Sequence, residues 1–225
     1  MKREQENVSF NLQELRDLKK LVARGEGQNL EFKRKASFPE KIVREMIAFA
    51  NASGGVLLVG IDDDGSIPGL KHPEDDSHVV SQALKLCKPA LPVKEEWIPI
   101  GNSRSVIYYH IAESNRKPHY LVTNGSKHSF VRVADQSIKA SHEVKEIVRR
   151  TQRKRDIKFH FGEHEKILMQ YLDKNPTITV KEFMKLGKLK RFYASRKLIL
   201  LVLANVLRII PHEKEDLFSR QPIQA

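Results

Sequence analysis

Between Gly54-Gly55 and Asp62-Asp63-Asp64-Gly65 lies Val56-Leu-Leu-Val-Gly-Ile61, apolar at almost every position. Side chains of a strand alternate between two faces, so a strand that is apolar throughout must be covered on both. The segment just upstream supplies one cover. Ile42, Val43, Met46, Ile47, Phe49 and Ala50 recur at helical spacing and form one apolar face. A covered strand preceded by an amphipathic helix predicts layered α/β packing.

The same reading extends along the first 150 residues. Asn11 is a plausible N-cap for a helix with Leu12, Leu15, Leu18, Leu21 and Val22 on one side. Leu30-Glu31-Phe32-Lys33 alternates as a short strand. Ser37-Phe-Pro-Glu40 has capping-box spacing, with Pro39 in the first helical turn. Asp76 or Ser77 is the expected cap of a helix carrying Val79, Val80, Ala83, Leu84 and Cys87. Strands are expected near 93–100, 105–111 and 129–133, and a last helix near 141–150. The fold class is therefore mixed, α/β or α+β.

Charge separates this part from the rest. The chain has 40 Lys+Arg and 28 Asp+Glu in 225 residues, a net charge of +12. Residues 151–225 hold 16 basic and 8 acidic residues, so two thirds of the excess lies in the last third. The shift starts at Arg149-Arg150-Thr151-Gln152-Arg153-Lys154-Arg155. That run reads equally well as a solvated helix end or as a phosphate-contacting hinge. Such an excess of positive charge points to a polyanionic partner. No apolar run approaches the ~18 residues of a membrane span, and no secretory leader pattern opens the chain. A single cysteine, Cys87, excludes an internal disulfide and fits a reducing cytosol. The expected location is cytoplasmic, without membrane contact.

The C-terminal part has the order of a winged helix-turn-helix. A helix over 163–172 is followed by a capping box at Thr179-Val-Lys-Glu182, a turn at Gly187 and a third helix over 190–204. Segments 206–210 and 217–218 then read as a two-stranded wing. Lys185, Lys188, Lys190, Arg191, Arg196 and Lys197 crowd the turn and third helix, as contact with DNA phosphates requires. Leu198-Ile-Leu-Leu-Val-Leu203 argues the other way, because a helix apolar on most sides is buried or dimerises. The expected domains are 1–150, a basic linker at 151–162, and the winged helix at 163–225.

Few motifs carry chemistry by themselves. Glu26, Glu31 and the cluster Asp62-Asp63-Asp64 could supply hard oxygen ligands to Mg²⁺ or Mn²⁺, with Lys33, Arg34 and Lys35 holding a phosphate. On spacing alone the aspartates read first as a turn. No phosphate-binding Gly-x-x-x-x-Gly-Lys-[Ser/Thr] loop is present. His160-Phe-Gly-Glu-His164 spells an inverted zincin motif, but Gly162 weakens the helix that motif needs, and the match reads as chance.

Several segments taken together resemble the Schlafen-type AlbA-like domain. They are Glu26-Gly-Gln-Asn-Leu-Glu31-Phe-Lys33, Ile47-Ala-Phe-Ala-Asn-Ala-Ser-Gly-Gly-Val-Leu-Leu-Val-Gly-Ile-Asp-Asp-Asp-Gly65, Lys117-Pro-His-Tyr120 and Phe130-Val-Arg-Val133. The resemblance covers about 25–147 and implies a nucleic-acid-binding core. In prokaryotes such domains are often joined to a helix-turn-helix, as in transcriptional regulators. Schlafen proteins that cut structured RNA use a three-carboxylate metal site, whose matching positions here are Glu26, Glu31 and Asp62. Nuclease Schlafens carry two such lobes, whereas this chain has one, so a groove would need a homodimer.

The sequence thus predicts a homodimeric nucleic-acid-binding protein, with DNA favoured over RNA, acting as a transcriptional regulator. The rival expectation is a metal-dependent endoribonuclease, and a third is a protein-interaction module. Whether the chain is an enzyme stays open at this level. Fold is a prior here, and activity must be argued from the site.

Overall fold

In the computed structural model, which describes residues 12–152 and 160–222, α1 (Leu12–Val22), β1 (Leu30–Lys33), α2 (Pro39–Asn51) and β2 (Gly55–Val59) open the chain. Next come α3 (Pro73–Leu84), β3 (Cys87–Lys88), β4 (Val93–Gly101) and β5 (Arg104–Ile111). The strands β6 (Tyr120–Thr123), β7 (Ser126–His128), β8 (Phe130–Val133) and β9 (Gln136–Lys139) follow. The chain ends with α4 (His142–Thr151), α5 (Glu163–Leu172), α6 (Val180–Leu186), α7 (Arg191–Leu203), β10 (Leu207–Ile210) and β11 (Leu217–Arg220). Two compact units result. One comprises the described residues up to Ser114 with His119–Ser137, the other Asn115–Pro118 with the described residues from Ile138 onward.

The first unit is built around a four-stranded sheet in the order β1-β2-β5-β4. β1 runs parallel to β2, and the remaining pairs are antiparallel. Interior β2 explains the apolar run. Leu57 and Val59 face α2, packing with Ile42, Met46 and Phe49. Leu58 faces the other way, with Leu18 and Val22 of α1 and with Phe32. The two glycines before β2 are sterically required. Gly54 has φ +81° and its Cβ would lie 2.8 Å from the Ile111 carbonyl oxygen, while a Cβ on Gly55 would lie 2.6 Å from the Phe49 ring.

The second unit packs α4 and α6 against α7, closed by the antiparallel ribbon β10–β11. Its core is formed by Leu168, Leu172, Ile178, Phe183, Ala194, Leu198, Leu201, Leu207 and Phe218. The Thr179–Glu182 box forms as the spacing predicts. Thr179 Oγ1 accepts from the Glu182 amide at 3.2 Å, and Glu182 accepts from the Thr179 amide at 2.8 Å.

Several local expectations are corrected. Ser37 does not cap α2, since Phe38 occupies the N-cap and no side chain bonds there. Helix α3 begins at Pro73, ahead of both expected caps, and Asp76 instead accepts from the Ala36 amide at 2.6 Å. Cys87 lies in the short strand β3 and not on a helix, buried, with its thiol pushed up to about 11 by that burial. The hairpin β6–β7 and the strand β9 lack the apolar alternation that would have announced them. At the turn after α6, Gly187 has φ −93°, and Lys188 takes the positive φ of 49°. The cap expected at Asn11 and the basic stretch Arg153–Arg155 lie outside the described residues. No helix of the described residues is long and apolar enough to cross a membrane.

Candidate functional site

Strand alternation decides where the carboxylates go. In β1, Leu30 and Phe32 point to the α1 side, and Glu31, paired in register with Leu57, points to the α2 side. Glu31 is buried there. One of its carboxylate oxygens accepts from Arg132 Nη2 at 2.7 Å, and the other is in an ion pair with Lys33. Arg132 comes from β8, and its side chain has no exposed surface. It also donates to Glu45 on α2 at 2.7 Å and to the Gly27 carbonyl at 2.9 Å, and stacks 4.9 Å from the centre of the Phe49 ring. Glu45 in turn accepts from Ser137. Its carboxyl titrates above the ordinary range because burial outweighs the Ser137 and Arg132 contacts.

Glu26 lies at the margin of this cluster. Its carboxylate accepts from the Phe32 amide at 2.7 Å. Desolvation raises its pKa, the Phe32 bond opposes this, and the nearby charges of Glu31 and Asp63 add to the rise. Asp62 is engaged elsewhere. It pairs with Arg34 Nε at 3.3 Å and accepts from Ser66 Oγ at 3.2 Å, inside a turn closed by the Gly65 amide on the Asp62 carbonyl. The expected convergence of Glu26, Glu31 and Asp62 is therefore not what the geometry presents. Among the described residues, no three His, Cys, Asp or Glu side chains come together to hold a metal ion. A cation at Glu31 would have to displace a guanidinium and an ammonium, so the side chains as arranged do not fit Mg²⁺ or Mn²⁺.

Arg132, Glu45 and Asn51 were missed as individual residues. A charged residue inside the apolar stretch Phe130-Val-Arg-Val133 was the available signal for Arg132. Asn51, also buried, donates to the Phe130 carbonyl at 2.9 Å and to Ser129 at 3.0 Å, and accepts from the His119 amide at 2.8 Å. It ties the end of α2 to the segment that carries Arg132. Lys33 is committed to Glu31, while Arg34 and Lys35 are exposed. Both line a cavity of about 470 Å³ with Lys71 and Arg104.

In the second unit the predicted basic residues divide into two sets. Lys188, Lys190 and Arg196 are exposed, with no carboxylate partner among the described ion pairs. Arg191 lies 3.6 Å from the buried Glu143, and Lys197 donates to the buried Glu165 at 2.6 Å. Desolvation pushes the Glu165 carboxyl upward, but Lys197 and the Gly162 amide together hold it below its ordinary value. The apolar stretch that counted against DNA contact is core: Leu198, Ile199 and Leu201 are buried.

Several solved structures are similar to parts of the chain. The N-terminal domain of a RecG-related protein of Nitrosomonas europaea is 25% identical, over 56% of this chain and 94% of that one, with a TM-score of 0.41. The DIP2311 protein of Corynebacterium diphtheriae is 21% identical, over 64% of this chain and 29% of its own, with a TM-score of 0.43. No curated protein matches. The family model described as Schlafen, AlbA_2 matches residues 26–141, from Glu26 through the glycine-rich strand and the Arg132 strand. With that match spanning just over half of its length, the chain belongs to the Schlafen AlbA_2 family.

Proposed function

We propose that this protein binds nucleic acid and acts as a DNA-binding transcriptional regulator, with the second unit serving as a winged helix-turn-helix and α7 as its recognition helix. The observation that carries this reading is the division of α7 along its length. Its first half and the turn before it expose Lys188, Lys190, Arg191 and Arg196, while its second half buries Leu198, Ile199 and Leu201. A cationic helix held by one end is suited to a phosphate-lined groove. The order α5, α6, α7 and an antiparallel ribbon is that of the winged-helix motif. Arg34 and Lys35 of the family domain would add phosphate contacts. A homodimer matches the two-fold symmetry of duplex sites and belongs to the same proposal. So do the expected domains, 1–150 and 163–225 with a basic linker between, except that α4 packs on α7 within the second unit.

The endoribonuclease reading needs Glu26, Glu31 and Asp62 to share a cation, and ion pairs to Arg132, Lys33 and Arg34 hold two of the three. DNA binding needs no such rearrangement. The test is duplex-DNA titration at several salt concentrations. Replacing Lys188, Lys190 and Arg196 with Ala should weaken binding and reduce the slope of log K against log salt by about 0.9 for each phosphate no longer neutralised. An unchanged affinity and slope would overturn the assignment and favour the interaction module.

A further inference from the structure

The first turn of α7 carries a feature that electrostatics alone does not require. Phe192 is 67% exposed and Tyr193 is 54% exposed, among the few large apolar side chains on the described surface. Their rings meet edge to face, 5.5 Å between centroids. Helical spacing places Phe192 beside Arg196 and Tyr193 beside Lys197, while Ala194, Leu198 and Leu201 occupy the buried side. Tyr193 also forms one wall of a depression of about 260 Å³ that includes His160, Glu165, Arg196, Lys197 and Leu200. The aromatic faces are thus framed by Lys188, Lys190 and Arg191 before them and Arg196 after.

We propose that this surface is a binding site for unpaired nucleobases of a DNA strand. One base lies against Phe192, another enters the depression beside Tyr193, and the flanking cations hold the phosphates. The inference rests on the nucleic-acid reading above and specifies its substrate class, single-stranded or locally opened DNA. Phosphate contact alone would be satisfied by lysines and arginines and would leave exposed rings without a role. Aromatic side chains between cations, by contrast, are how sequence-tolerant single-strand binding works, because every base has a π-face. The charge of the surroundings argues against an apolar protein partner. Glu165, which also lines the depression, is buried and paired with Lys197, and the buried Glu143 lies 3.6 Å from Arg191, so both carboxylates face a cation.

The test uses the full chain and a fluorescein-labelled 20-nucleotide DNA of mixed sequence, as a single strand and as a duplex, read by anisotropy. The variants are the double substitution Phe192→Ala with Tyr193→Ala, the conservative Tyr193→Phe, and Arg196→Ala. Wild type should bind both forms, the duplex through its phosphates and the single strand through its bases as well. The double variant should lose roughly tenfold or more in single-strand affinity, with its salt slope and melting temperature unchanged. Tyr193→Phe should retain binding, and Arg196→Ala should lower the salt slope by about 0.7. If wild type binds DNA but the double variant binds the single strand unchanged, the base site is wrong while the nucleic-acid reading survives. Equal losses on duplex and single strand, or conversion of a wild-type dimer to a monomer, also overturn it, assigning the pair to groove contact or self-association. If wild type binds neither form, the nucleic-acid reading fails first.

Discussion

Arg132 lies within the apolar stretch Phe130-Val-Arg-Val133 and Arg196 just before the apolar stretch Leu198–Leu203, yet they are used in opposite ways. Arg132 is enclosed, with Glu31 and Glu45 within 2.7 Å of its guanidinium and the Phe49 ring beneath it. Arg196 stands on an exposed helix face beside two aromatic rings, with no described carboxylate partner. The first holds β1, α2 and β8 together, and its charge is spent inside the unit. The second leaves its charge available to a ligand. A high count of Lys and Arg therefore does not measure a binding surface. What matters is where a cation without an internal carboxylate stands, and Lys188, Lys190 and Arg196 place three such cations on and just before the first half of α7.

The comparison breaks most visibly at Arg132. Arg132→Met removes the common partner of two carboxylates, one buried and one half-buried. Removing one side of a buried ion pair costs about 3–5 kcal/mol, and because Lys33 still pairs with Glu31 the lower end of that range is expected. Urea denaturation should show a loss of that size. A loss under 1 kcal/mol would mean that water reaches Glu31 and that the cluster is not closed. Adding Glu31→Gln and Glu45→Gln to Arg132→Met should recover part of the loss, since the stranded charges are then gone.

Asn51→Ala comes next. It strands the His119 amide and the Phe130 carbonyl inside the unit, at about 1–3 kcal/mol for a buried group left unsatisfied. Amide exchange should accelerate around 119 and 130 and stay unchanged in α5–α7. Uniform acceleration through the second unit would contradict the division into two compact units.

Lys197 tests the boundary between the two uses of charge, because it lies near the exposed face yet serves the buried Glu165. Lys197→Ala should cost about 1 kcal/mol at pH 7, near the lower end for an orphaned buried group, because water can reach the site. The pH dependence has a definite sign. The folded pKa of Glu165 lies below its ordinary value of 4.5, so its stabilisation is present above that value and is lost as pH falls through the folded pKa. The difference between wild type and Lys197→Ala should therefore shrink toward low pH. Asp216, raised by burial, runs the other way: its stabilising contribution is full below its ordinary 3.8 and is lost as pH rises through the raised folded pKa. A wild-type advantage that grows on acidification would contradict the Glu165 assignment.

The layered core was legible in the sequence because periodicity encodes it. The apolar run at 56–61, the face of α2 and the Thr179 box each depend on local spacing, and each appears as read. The first-unit cluster was not legible, because Glu31, Glu45 and Arg132 come from three separate segments, β1, α2 and β8, and meet only through tertiary packing. Leu198–Leu203 stayed ambiguous for a related reason. A helix apolar on several sides is compatible with dimerisation or with burial under α4 and α6, and only packing distinguishes them. Phe192 and Tyr193 drew no attention because an aromatic on a helix is ordinarily core, and its exposure cannot be read from its neighbours in the chain.

The smallest expected effect is none. If Glu26, Glu31 and Asp62 held a divalent cation, ligand binding to the native state would raise the melting temperature by mass action. In the described geometry Glu31 has a cation on each oxygen, and Asp62 is held by Arg34 and Ser66. Binding Mn²⁺ would have to break these contacts, so melting in Mn²⁺ and in EDTA should coincide. The comparison has to be made within each variant, because Glu31→Gln loses stability by weakening the hold on Arg132 whether or not a metal binds. A gain of several degrees in Mn²⁺ for wild type, absent in Glu31→Gln and in Asp62→Asn, would show that the carboxylates can leave their ion pairs for a metal. Arg132 would then be a competitor for the metal site and not its replacement, and the nuclease reading would regain its ligands.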